Sequence, residues 1–366
     1  MKRLVILLAV LSALLLLSPA AQAADVEAAQ REALGTDRLE KAVPGSAGEE
    51  MGRLTVDDAL DLDRCLEALG RVLREGLGGA VKSAVSSAAV IVAAVALSAA
   101  AGVFLPDQGR YAPILCVVAV AAVAVRDSAS LTSLGRSTME ELNAFSKMLL
   151  PTLAAAAAAG GAAVSAPAKY AASVFFIDLL ISGSGRLVLP LIYAYIAASV
   201  ASAAFGSDGL RGACALLKWA AVTVMTVTVL AFTAYLSLTG IISGNVDAAA
   251  ARAARTAIST ALPVVGGMIA DASSAVLAGA AMLRGAVGVF GLVAVAAAGL
   301  TPFLRIGAHY LLYKAAAGVS GAVAEPETGR LLSALSSAFG MLLGLVGATV
   351  LMLFISVISV MRAVTG

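Results

Sequence analysis

Two carboxylates interrupt stretches that are otherwise apolar enough for a lipid bilayer. Asp178 lies in the short apolar run between Lys169 and Ser182, and Asp271 lies nine residues past Leu262. An ionisable group at membrane depth costs about 2.5–3.5 kcal/mol or more, so each is by default a candidate functional residue. Arg284, Arg305 and Lys314 are the bases available to pair with them. The competing reading has Asp178 capping a helix near the interface while the bases snorkel to the headgroups. Arg305, His309 and Tyr313 follow at i, i+4 and i+8, which places them on one helical face. That face fits a proton relay or an interfacial helix.

Other chemistry has little to stand on. The chain carries no P-loop, no metal-binding motif and no G-x-S-x-G nucleophile motif. Ser182-Gly183-Ser184-Gly185 has the composition of a phosphate loop, but Arg186 stands where a lysine is needed and no strand precedes it. It reads as a turn between apolar segments. Cys65, Cys116 and Cys214 lack paired spacing, and there is one histidine, so neither a disulfide framework nor a metal site is expected. No cofactor and no enzymatic activity are expected.

The elements that position these residues follow from composition. Of 366 residues, 60% are hydrophobic and only 13% charged, with a mean hydropathy of +0.96. Soluble domains hold about 25% charged residues. This chain cannot cover a soluble fold of its size with polar side chains, and a bilayer removes that need. The expected fold class is all-α: a polytopic membrane protein with a small helical extracytoplasmic N-terminal region.

Residues 1–23 have the pattern of a signal peptide. Lys2 and Arg3 form the positive start, Leu4–Leu17 the 14-residue apolar core, and Ala21-Gln22-Ala23 the small-x-small site. A retained first span is the alternative, though spanning takes about 20 residues. Residues 24–79 form an acidic segment with 13 acids from Asp25 to Glu75 against 7 bases from Arg31 to Arg74. Residues 80–366 reverse the balance with 16 bases and 10 acids, too few bases to imply nucleic acid. Leu62, Leu66, Leu69, Leu73 and Leu77 mark one helical face in the acidic segment. The stripe is too thin to bury a core alone, so it should pack on a partner or on the membrane domain.

Residues 80–366 form the membrane domain, with six to eight spans. Val81–Leu105, Trp219–Ile242, Ala286–Phe303 and Phe339–Val360 are the clear ones. Ala112–Val125 is short, and Arg126–Lys147 reads as a polar loop with an amphipathic helix. Two regions are irregular. Pro151, Gly183, Gly185 and Pro190 interrupt Met148–Phe205; Pro263, Gly266 and Gly267 interrupt Leu262–Leu283, with Pro302 beyond. These are the candidate helix-break and packing positions. Broken backbone at membrane depth is tolerated where it is buried in protein or lines a wet cavity. Lysines and arginines occur in nearly every loop, so the positive-inside rule does not fix orientation. An offset of 112 residues aligns Pro151 with Pro263, Pro190 with Pro302 and Lys218 with Arg330. It makes 142–242 and 254–354 a candidate internal repeat of the transporter type.

Three stretches carry a family resemblance: Leu142–Pro151, reading LNAFSKMLLP; Ser182–Arg186, reading SGSGR; and Leu262–Ala272, reading LPVVGGMIADA and running on to Gly285–Gly291. With the signal-like start and acidic segment, the chain resembles the stage III sporulation protein AE family over nearly its full length. The resemblance implies a multi-pass protein of the mother-cell membrane around the forespore, within a transenvelope channel-like complex needed for forespore development. It implies as partners the other products of that sporulation operon, including ring-forming membrane proteins and a cytoplasmic ATPase, and a forespore partner protein. It supplies no catalytic residues. Three roles follow: a pore or assembly platform, a secondary transporter using Asp178 and Asp271, or a passive scaffold recruiting partners through residues 24–79.

Overall fold

A computed structural model describes the backbone of residues 32, 35–51, 54–104, 112–159, 165–205, 207–261, 266–323 and 326–361. Side chains are described for the same residues except 46, 50, 101–104, 112–114, 165–166, 168–169, 184–185, 239–280 and 321–323. The described residues form helices and no strand. Two short helices, α1 (Thr36–Lys41) and α2 (Gly45–Glu50), and a 3-10 turn (Asp58–Leu60) come first. Long helices follow: α3 (Leu62–Phe104), α4 (Ala112–Ala159), α5 (Ser165–Gly183), a π-helical segment (Ser184–Val188), α6 (Leu189–Phe205), α7 (Asp208–Ala261), α8 (Gly266–Val323) and α9 (Pro326–Met361).

Six stretches among the described residues are long and apolar enough to cross a membrane: Leu62–Ala100, Leu115–Ala159, Tyr170–Phe205, Asp208–Leu238, Ala281–Ser320 and Pro326–Met361. The last is 36 residues long, or about 54 Å at 1.5 Å per residue, against a hydrocarbon core of about 30 Å. The helix starts use local chemistry. Pro326 opens α9, where a missing N–H costs nothing, and Glu327 pairs with Arg330 one turn on. Asp208 pairs with Arg211 at the start of α7.

Side-chain contacts fix the directions of the helices. Asp127 of α4 meets Tyr313 of α8, and Leu149 meets Gly291, so α4 and α8 are antiparallel. Gly340 meets Tyr310 and Gly347 meets Phe303, so α8 and α9 are antiparallel too. Lys218 meets Ser337 and Met225 meets Gly344, so α7 runs parallel to α9.

The register of α3 is the least expected feature. Gly76 packs on α8 so closely that a Cβ there would lie 3.1 Å from Thr301 Oγ1 and 3.2 Å from Leu304. Eleven residues on, Ser87 meets Arg126, the neighbour of Asp127, which meets Tyr313. Helices α3 and α8 are therefore parallel, and Leu62–Gly76 runs beside the apolar run Ala286–Phe303. The division at residue 79 falls inside one continuous helix.

Four expectations need correction. Of the two surfaces expected to cover the leucine stripe, the membrane domain covers little of it: Leu62, Leu66, Leu73 and Leu77 are exposed and only Leu69 is partly buried, while Cys65, Ala68, Val72 and Ala80 are buried. Small side chains allow the closest approach to α8, and the leucines project outward. Arg126–Lys147 is not a loop but the middle of α4. Leu131, Met139, Leu142 and Phe145 continue the buried face of Val120 and Ala124 at helical spacing, and this packing holds the polar stretch helical. Pro151 and Pro302 do not end helices; α4 and α8 continue through them. An interior proline costs about 3 kcal/mol. Close packing on both sides of each, at Leu150 and Leu153 and at Ala298 and Ile306, outweighs it.

The interruption at Ser184–Val188 has a local cause. Pro190 has no N–H to give the carbonyl of Arg186, so the α pattern fails there and the turn widens. Gly183 precedes the widened turn, which includes Gly185; a Cβ on Gly183 would meet nothing within 4 Å, so it is not a packing contact. Gly266 and Gly267 open α8, but their surroundings, like Pro263, lie outside the described residues.

Candidate functional site

Three helices bring a polar layer into the protein interior. Asp127 on α4 is 6% exposed. It accepts a hydrogen bond of 2.9 Å from the hydroxyl of Tyr313 on α8, which is fully buried. Arg126 lies 3.3 Å from the other carboxylate oxygen and donates to Ser87 Oγ of α3 at 3.4 Å. The Tyr313 ring meets Phe339 of α9 edge-on at 4.9 Å. One turn earlier on α8, His309 is buried against the same Phe339 at 6.4 Å. Its Nδ1 lies 2.8 Å from the carbonyl oxygen of Arg305. A carbonyl only accepts, so Nδ1 carries the proton.

The face Arg305, His309, Tyr313 thus enters the core. Arg305 remains partly accessible, but its Nε is buried without a hydrogen-bond partner among the described residues. Arg284, 8% exposed, leaves Nη1 in the same state. Neither reaches Asp178. That carboxylate is half exposed and bound to α4: Asn143 donates to it at 3.2 Å and Lys147 lies at 3.5 Å. The expected partners Arg284, Arg305 and Lys314 are therefore replaced by Lys147. Lys314 lies over the Tyr310 ring at 5.8 Å. Asp271 is in α8, but its side chain lies outside the described residues.

Asp127 was not among the residues singled out from sequence. The signal was present: the buried positions Val120, Ala124, Asp127 and Leu131 keep helical spacing through the first charges after the apolar run. Among the described residues no group of three or more His, Cys, Asp or Glu gathers to hold a metal. The polar layer is suited to fixing helix register, since a buried carboxylate and phenol satisfy each other only in one alignment.

Two of the stretches singled out in the sequence meet further along α4, 15 residues and more beyond Asp127. Leu142–Pro151 supplies Asn143 and Lys147 to Asp178, four residues before Ser182–Arg186. It also supplies Leu149, which packs on Gly291 so tightly that a Cβ there would lie 2.6 Å from it. The model of the family described as stage III sporulation protein AE matches residues 57–365. The chain belongs to that family. The match begins just before the 3-10 turn and takes in α3 to α9, so the family extends over the whole bundle, with α3 as one of its parts. The stage III sporulation protein AE family makes this a sporulation protein, and the six stretches among its described residues that are long and apolar enough to span a bilayer give it a multi-pass membrane architecture. No curated relative and no solved structure matches it.

Proposed function

We propose that this protein is the multi-pass membrane component of a channel complex joining mother cell and forespore, and that it acts there as assembly platform and part of the pore wall. One observation carries the reading. The segment Leu62–Gly76 of α3 presents exposed Arg64, Glu67, Arg71, Arg74 and Glu75 beside the apolar run Ala286–Phe303 of α8. Lipid does not accept five charges on one exposed face. That flank meets water or protein at the level where other flanks, such as Leu230 and Leu351, present apolar side chains. Copies of the chain, or its operon partners, therefore assemble with α3 inward. The leucines Leu62, Leu66, Leu73 and Leu77 on the same segment supply the apolar contacts of that assembly. The ring-forming membrane proteins, the cytoplasmic ATPase and the forespore partner are the proposed neighbours.

The test uses sporulating cells and a chain with its native cysteines replaced. Arg64→Cys, Arg71→Cys and Glu75→Cys should react with a membrane-impermeant maleimide, and Leu230→Cys should not. Leu66→Ser with Leu73→Ser should lose co-purification with the operon partners and reduce spore yield. Normal assembly and normal spore yield in that double variant would overturn the reading.

A further inference from the structure

The groove between α7, α8 and α9 has two chemically different ends. One end, about 580 Å³, is lined by Lys218, Lys314, Ser333 and Ser337, and among the described residues no carboxylate lines it. Lys218 donates to Ser337 Oγ at 3.2 Å, which keeps its ammonium at the rim. The groove continues into a second cavity of about 490 Å³ lined by Phe303, Leu343, Gly347 and Leu351. Both share Val229, Tyr310, Gly340 and Gly344, so the channel is continuous. Gly344 forms open floor: a Cβ there would meet only the Met225 methyl, at 3.9 Å.

We propose that this groove binds one anionic phospholipid, with its phosphate on Lys218 and Lys314 and an acyl chain along Gly340, Gly344 and Gly347. Three observations select this occupant. Two uncompensated ammonium groups complement a phosphate, and basic pockets between membrane helices hold anionic headgroups. From Ser337 to Gly347 is ten residues, about 15 Å of helix, which is half of a hydrocarbon core of about 30 Å. The groove is therefore as deep as one leaflet, a match that a soluble anion would not need. Trp219, next to Lys218, is 66% exposed at the rim, where indole rings favour the headgroup level. Apolar runs of α7 and α9 both begin at this level, at Trp219 and Phe339, beside Tyr310 and Lys314 of α8.

Trp219 is the sole tryptophan and reports on the site. The full chain is placed in phosphatidylcholine nanodiscs, and quenching by bromine-labelled phosphatidylglycerol is compared with quenching by bromine-labelled phosphatidylcholine. The anionic lipid should quench at lower mole fraction. Lys218→Gln and Lys314→Gln should each reduce the preference roughly fivefold. Gly344→Leu should bring quenching by the anionic lipid to the phosphatidylcholine level without changing the helix content seen by circular dichroism. Inorganic phosphate in excess should not compete. Equal quenching by both lipids, a preference that survives the double lysine substitution, or displacement by inorganic phosphate would each overturn the proposal.

Discussion

Tyr313 and Asp127, 186 positions apart in sequence, are joined by a hydrogen bond of 2.9 Å in the protein interior. The bond ties α8 to α4, and Arg126 extends the tie to Ser87 of α3. Tyr313→Phe removes the donor and leaves a buried carboxylate with less compensation. The expected loss is about 1–3 kcal/mol, because an unsatisfied buried acceptor costs its full desolvation. Asp127→Asn keeps an oxygen acceptor and should cost less. Thermal unfolding of both variants in detergent checks the order, and equal losses would contradict the assigned geometry.

Gly291 and Leu149 are in such close contact that the pair should behave as a lock. Gly291→Val should destabilise by about 1–3 kcal/mol through overpacking. Leu149→Ala in the same chain should recover part of that loss by making room. A double variant no better than Gly291→Val would show that the strain lies elsewhere.

The two faces of α3 should respond oppositely. Gly76→Leu drives a side chain into Thr301 and Leu304 and should separate α3 from α8, exposing Cys65 and raising its rate of thiol modification in the folded protein. Leu66→Ser and Leu73→Ser remove exposed side chains and should change the stability of the single chain by no more than about 0.5 kcal/mol. Their effect belongs to assembly, read by co-purification.

Asp178 is half exposed, and its ion pair with Lys147 is worth about 0–1 kcal/mol at most. Asp178→Asn should therefore leave unfolding nearly unchanged. A block in spore formation with the complex still assembled would show this carboxylate to be functional.

Asp58 provides a pH handle outside the apolar helices. The Thr55 hydroxyl donates to its carboxylate at 2.8 Å and the Thr55 amide at 3.2 Å, with Arg64 adding a charge partner. These bonds lower its pKa below the usual carboxylate value. The stabilisation is thus complete above the unfolded value of about 3.9 and is lost as pH falls through the lowered folded value. Hydrogen exchange at the amides of Thr55 and Asp58 should accelerate over that window. Thr55→Val should move the acceleration to higher pH.

Composition and the lengths of the apolar runs pointed to membrane-spanning helices, because 13% charged residues cannot solvate a fold of 366. Pro190 marked a break, but the turn expected at Ser182–Gly185 is instead helical, a widened π-helical turn that joins two helices without a loop. The stretches around Asn143 and Gly285 pointed to the family without any geometry. Which face of α3 packs inward was not legible. An exposed leucine and a buried leucine look alike in a periodic pattern, and Gly76, the residue that sets the contact, contributes no side chain to that pattern. The status of Asp127 was equally hidden: its partner lies 186 residues away, and charge beside an apolar run reads as a loop until another helix covers it. Asp178 was the reverse case, a carboxylate in an apolar run whose neighbours on α4 leave it half open. Only the packing of separate helices decides which charges are buried, because burial is a property of neighbours and not of spacing.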